Sequence, residues 1–207
     1  MKGSLASLTE RFGNNHHEFN CCDTTFLVQA TGIRADAAVT AARDTAKSLE
    51  AQLNAFDEAS AVSQLNREGE IVNEHISCIV RRGLEYNNRT EGVFDIHQGC
   101  VEQELKAFLR GDSDAPPTDF DTGTARVSGS QVTTDVELDL NGLAKGYIVD
   151  RASEALAGLG RRGFVSGGGD MSPPTGPVAI ESPYGDDTPL KILDTDWHVA
   201  TSGGYRR

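Results

Sequence analysis

Residues Asp139–Asp150 read DLNGLAKGYIVD. The alternating run QVTTDVELDL (131–140) precedes them, and the apolar-periodic EALAGLG (154–160) follows. Alternation predicts a strand over Val132–Leu140. Leu143, Tyr147, Ile148, Ala152, Ala155, Leu156 and Leu159 share one helical stripe, which predicts a helix from about Gly142 to Leu159, stopped by Gly160. Lys145, one of only five lysines against 14 arginines, falls in that helix's first turn, off the stripe. Free N–H groups and a partial positive charge at a helix N-terminus attract phosphate, and a lysine there adds a full charge. Gly142 and Gly146 permit close approach of a ligand or another backbone. Asp139 can accept hydrogen bonds from a base or ribose. A capped helix with a solvated lysine accounts for these residues equally well, because the G-x4-G-K-[ST] spacing of a P-loop is missing.

The same reasoning extends outward. TTFLVQATG predicts a first strand after a flexible segment 1–23. Val39, Ala42, Ala46, Leu49, Leu53 and Phe56 step by threes and fours, predicting a helix over Asp36–Phe56. EASAVSQLN reads as a loop or short helix. A second helix spans about Glu74–Thr90, with Ile76, Ile79, Val80 and Leu84 inward and Gly92 ending the segment. GVFDIHQGCVEQELKAFL reads as a turn and then a helical stretch, with Phe94 in the core and Asp95 as a helix cap. RGDSDAPPTDFDTGT is the best linker, a surface excursion over 110–125. Strands follow near Arg126–Val127, in GFVSGGGDM, and in PVAIESP, LKILD and WHVATSG. Helices come early and strands late, so the fold class is α+β, with residues 24–207 as the domain.

The 207 residues carry a formal net charge of −12 and a sequence pI of about 4.8. Such a surface repels nucleic-acid phosphates and anionic lipid, so neither is a partner. Aspartate outnumbers glutamate and arginine outnumbers lysine, a pattern that fits a salty cytoplasm as well as an ordinary acidic protein. No run reaches transmembrane length and the N-terminus has no signal-peptide core, so a cytoplasmic location with reduced thiols is expected. Cys21 and Cys22 bridge to each other only with strain. Cys78 and Cys100 read as core residues. His16, His17, Cys21 and Cys22 offer metal-ligand atoms, yet no second half of a zinc pattern follows. SGGGDMS is a phosphate cradle or, more simply, a tight turn needing positive φ.

In order along the chain, these pieces resemble the ApbE family, the FAD:protein FMN transferases. The pieces are FDEASAVSQLN, for the family's Y-x-x-x-S-x-x-S-x-L-N; GVFD; DLNGLAKGYIVD; GGGD; and TSGGYRR. The resemblance runs from about Thr24 to the last residue and implies an ApbE-like, T-fold-like core of mixed and antiparallel sheets with packed helices. It implies Mg-dependent cleavage of FAD, transfer of FMN to a Thr or Ser hydroxyl of a flavin-acceptor protein, and release of AMP. FAD contacts are implied at Phe56, Val93, Phe94, Asp95, Asp139 and Lys145, and a Mg ligand at the Gly142 carbonyl. No catalytic residue is assigned, and a homodimer is among the assemblies open to the chain.

Three departures from the family pattern stand out. Phe56 keeps the ring of the family's tyrosine and loses its hydroxyl, and CDT at Cys22–Thr24 stands for the family's M-G-T. The family's H-I-x-D-P-x-T-G segment and its later acidic and threonine Mg ligands have no counterpart in these residues, so the core is expected to be incomplete at the C-terminal side. The alternative function is therefore a flavin-nucleotide-binding relative that transfers nothing.

Overall fold

The computed structural model describes residues 14–120, 122–159, 162–182 and 188–201. Residue contacts divide the chain into two compact units, 1–49 with 145–207, and 50–144.

The first unit is built on a five-stranded antiparallel sheet. Its strands are β1 (Asn14–Cys21), β2 (Thr24–Thr31), β6 (Arg162–Gly167), β7 (Asp170–Met171) and β10 (Val199–Ala200), in the order β1-β2-β6-β7-β10. Residues 14–21, expected to be flexible, form a strand instead, because all eight pair in register with β2. The two-residue turn joining them has Cys22 at φ 53° and Asp23 at φ 54°. Positive φ at both central positions matches the right-handed twist of the flanking strands. In β2, Phe26, Val28 and Ala30 are buried at every second position, as a sheet with one covered face requires. Ala38, Val39, Ala42, Ala46 and Leu49 of helix α1 (Ala35–Leu53) and Ile148, Val149, Ala152 and Leu156 of helix α5 (Asn141–Gly158) are also buried in this unit. Burial of each valine, leucine or isoleucine among these contributes about 1.5–3 kcal/mol. A separate hairpin pairs β8 (Val178–Ile180) with β9 (Lys191–Leu193).

The second unit holds the three-stranded antiparallel sheet β3-β5-β4, from β3 (Glu70–Val72), β4 (Ala125–Ser128) and β5 (Gln131–Thr134). Its helices are α2 (Ala61–Glu68), α3 (Glu74–Arg89) and α4 (Gly99–Arg110). EASAVSQLN is thus a helix with a defined start: Ser60 caps α2 by accepting from the Ser63 N–H at 3.1 Å. Asn73 caps α3 in the same way through Ile76. Ile76, Ile79 and Val80 are buried as predicted, together with Val62, Leu65, Ile96 and Val132. The described residues between Arg110 and Ala125 carry no helix or strand.

Four expectations need correction. The helix predicted to reach Phe56 stops at Leu53, and Phe56 is 71% exposed rather than inward. Cys78 and Cys100 are exposed, so neither is core. Asp95 does not cap α4, whose N-cap is Gln98. The strand predicted to reach Leu140 ends at Thr134, because backbone groups of residues 137–139 bond outside the ladder.

Candidate functional site

The motif pieces sort by unit. In residues 50–144, three of them meet along residues 137–142. The Asn66 side chain donates to the Leu138 carbonyl at 3.0 Å and accepts from the Leu138 N–H at 2.9 Å. This ties the last residue of FDEASAVSQLN to the approach of DLNG. The loop carrying GVFD runs along the same backbone: the Asp139 N–H donates to Ile96 O at 2.8 Å, and the Gly99 N–H to Glu137 O at 3.0 Å. A Cβ on Gly99 would lie 2.8 Å from the Glu137 carbonyl carbon and oxygen, so only glycine permits that approach. Phe94 closes the contact, its ring edge 3.3 Å from where a Gly142 Cβ would stand. Tyr86 meets the Phe94 ring edge-on, at 6.0 Å between centroids and 85° between planes.

Asp95 organises the turn. Its carboxylate accepts from the His97 N–H at 3.1 Å, sits 2.6 Å from His97 Nδ1, and accepts from Gln98 Nε2 at 2.8 Å. Burial pushes its pKa up, but the hydrogen bonds from His97 and Gln98 and the His97 charge outweigh burial and leave it below the ordinary value. Asp95 is thus committed to shaping the turn, and His97, which the sequence reading passed over, is its main partner. Val93, two residues before Asp95, is 89% exposed.

Asp139 accepts from the Asn141 N–H at 2.8 Å, holding the first turn of α5. Asp139, Phe56 and Asn66 line a cleft of about 450 Å³ together with Lys106, Arg110 and Glu102. The Lys106 ammonium lies 5.2 Å from the Phe56 ring centroid, within cation–π range, and 2.8 Å from Glu102. Neither Lys106 nor Arg110 was singled out from sequence. Their only signal is the helical spacing that puts residues 102, 103, 106 and 110 of α4 on one side.

Lys145 belongs to the other unit. Its ammonium donates to Gly168 O at 3.0 Å and pairs with Asp170 at 3.3 Å. Gly168 and Gly169, at φ 54° and 96°, form the two-residue turn between β6 and β7, so GGGD is a tight hairpin turn. Thr201 holds the same turn, its N–H and hydroxyl both donating to Gly169 O at 2.9 and 3.2 Å. A Cβ on Gly168 would lie 2.8 Å from Thr24 Cγ2. Thr24, Lys145, GGGD and the first residue of TSGGYRR therefore gather at one hairpin. The rest of TSGGYRR lies outside the described residues.

Magnesium needs hard oxygen donors in octahedral geometry, usually including a carboxylate. Gly142 offers one carbonyl and no side-chain donor. Among the described residues no three carboxylates converge on one point. The donors among the described residues do not form a carboxylate cage that would hold magnesium by the protein alone.

Known proteins bear on this arrangement. The model of the ApbE family matches residues 22–207. No curated protein matches. Among solved structures, the ApbE protein of Thermotoga maritima aligns with a TM-score of 0.78 and 22% identity, covering 94% of this chain and 72% of that one. The flavin transferase ApbE of Vibrio cholerae aligns with a TM-score of 0.76 and 18% identity over 94% of this chain and 72% of its own. The flavinyl transferase ApbE of Pseudomonas stutzeri, in its apo form, gives 0.73 and 20%, covering 94% and 71%. At these identities the structures share the α+β fold. The family match spans nearly the whole chain, and the protein belongs to the ApbE family.

Proposed function

We propose that this chain is an FAD:protein FMN transferase. The observation that carries the reading is the meeting of the FDEASAVSQLN, GVFD and DLNG pieces beside one cleft of residues 50–144. Family membership and the likeness in fold to two flavin transferases support it. In the reaction, a Thr or Ser hydroxyl oxygen of the acceptor attacks the FMN-side phosphorus of FAD. A phosphoester bond forms, the pyrophosphate P–O bond breaks, AMP leaves with the bridging oxygen, and the hydroxyl proton is released.

Each residue has a proposed part. The exposed Phe56 ring offers a stacking face to a base, and Lys106 above it adds positive charge. Asp139 accepts from a ribose or base. Val93, Phe94 and Asp95 form the turn that meets the flavin nucleotide. The Lys145 ammonium, which donates to Gly168 O and pairs with Asp170, is the proposed donor to an FAD phosphate. In-line phosphoryl transfer depends chiefly on positioning and charge stabilisation.

The test incubates the chain with FAD, magnesium and a flavin-acceptor protein, with and without a chelator, and reads covalent in-gel fluorescence and AMP. Appearance of both supports transfer, and their loss on chelation supports the magnesium dependence. The second reading, flavin-nucleotide binding without transfer, is favoured by the lack, among the described residues, of a carboxylate cluster that could hold magnesium. Tight FAD binding with neither product would select it.

A further inference from the structure

In a β-strand, consecutive side chains point to opposite faces, which keeps neighbouring thiols apart. Cys21 is the last residue of β1, but Cys22 has turned into the left-handed region at φ 53°. That reversal brings Cys21 Sγ and Cys22 Sγ to 3.8 Å. Two thiolates bound to one tetrahedral zinc, each at about 2.3 Å, stand about 3.8 Å apart. An extended backbone would hold the two thiols apart, and this turn is not extended. Cys21 is buried with its thiol toward Ala46 O at 3.9 Å, while Cys22 is partly exposed, so an ion can reach the pair from the Cys22 side.

We propose that Cys21 and Cys22 form a binding site for a thiophilic divalent cation of the zinc–cadmium class. Binding replaces the two thiol protons with two metal–sulfur bonds and releases both protons, with no change of oxidation state. The site sits at the hairpin turn joining β1 to β2, so its occupation clamps that turn. It is independent of the flavin reading.

The experiment titrates the reduced full chain with Cd²⁺, following the thiolate-to-metal charge-transfer band and the melting temperature. One ion per chain with a raised melting temperature is expected. The Cys78→Ser/Cys100→Ser double variant should bind with unchanged affinity, and Cys22→Ser should lose at least tenfold. Cys22 is partly exposed, so that variant is expected to fold, which its melting curve in the absence of metal checks. Wild-type affinity in Cys22→Ser, or loss of the band in the Cys78/Cys100 double variant, overturns the proposal.

Discussion

Lys145 and Asp170 form an ion pair at 3.3 Å, and the same ammonium donates to the carbonyl of Gly168 at 3.0 Å. The lysine that the sequence marked for phosphate is thus already part of the β6–β7 hairpin turn. A cation held on a glycine turn is positioned in advance, which lowers the entropy cost of gripping a ligand. Lys145→Met should weaken FAD binding by roughly ten- to a hundredfold, the worth of one hydrogen bond to a charged group. Fluorescence quenching of FAD measures this. A lowered melting temperature with FAD affinity unchanged would leave Lys145 a purely structural role.

Asn66 makes a two-bonded clamp on the Leu138 backbone. Asn66→Ala leaves one N–H and one carbonyl without that partner and should cost about 1–3 kcal/mol in urea unfolding. Asn66→Asp keeps the acceptor and loses the donor, so it should fall between. Equal stability of all three proteins would contradict the clamp.

Gly99 permits an approach that no side chain tolerates. Its Cβ would meet the Glu137 backbone at 2.8 Å, and backbone cannot swing aside as a flexible side chain does. Gly99→Ala should therefore destabilise by about 1–3 kcal/mol, despite alanine's better helix propensity. The shift of the urea midpoint reads this directly. Gly158→Ala, in open space near the end of α5, should be neutral or mildly stabilising in the same assay.

The Asp95 turn carries a pH signature. Its folded pKa lies below the unfolded value, so its contribution to stability is fully present above the unfolded value of about 3.9. That contribution is lost as pH falls through the folded pKa. Wild type should exceed Asp95→Asn in stability near neutral pH, and the gap should close on acidification below about pH 4. The groups facing the carboxylate are His97 and Gln98. A gap that stays constant down to about pH 2 would remove Asp95 as its source.

The sequence by itself determined the helices and the ordered motifs. Periods near two and near 3.6 are local properties, so Glu74–Arg89 and Asn141–Gly158 fall close to their predicted bounds. What tertiary structure decided is where each polar group finds its partner. Residues 135–140 alternate like a strand, yet their backbone bonds to Asn66 and to the 96–99 loop instead of a ladder. Phe56 continues an apolar stripe, yet the chain leaves the helix at Leu53 and turns the ring outward. Cys78 and Cys100 are apolar in composition and exposed in fact. Lys106 reaches Phe56, and Lys145 reaches Gly168, across sequence separations that no pattern of spacing encodes. Periodicity reports which face is buried; only packing reports what that face meets.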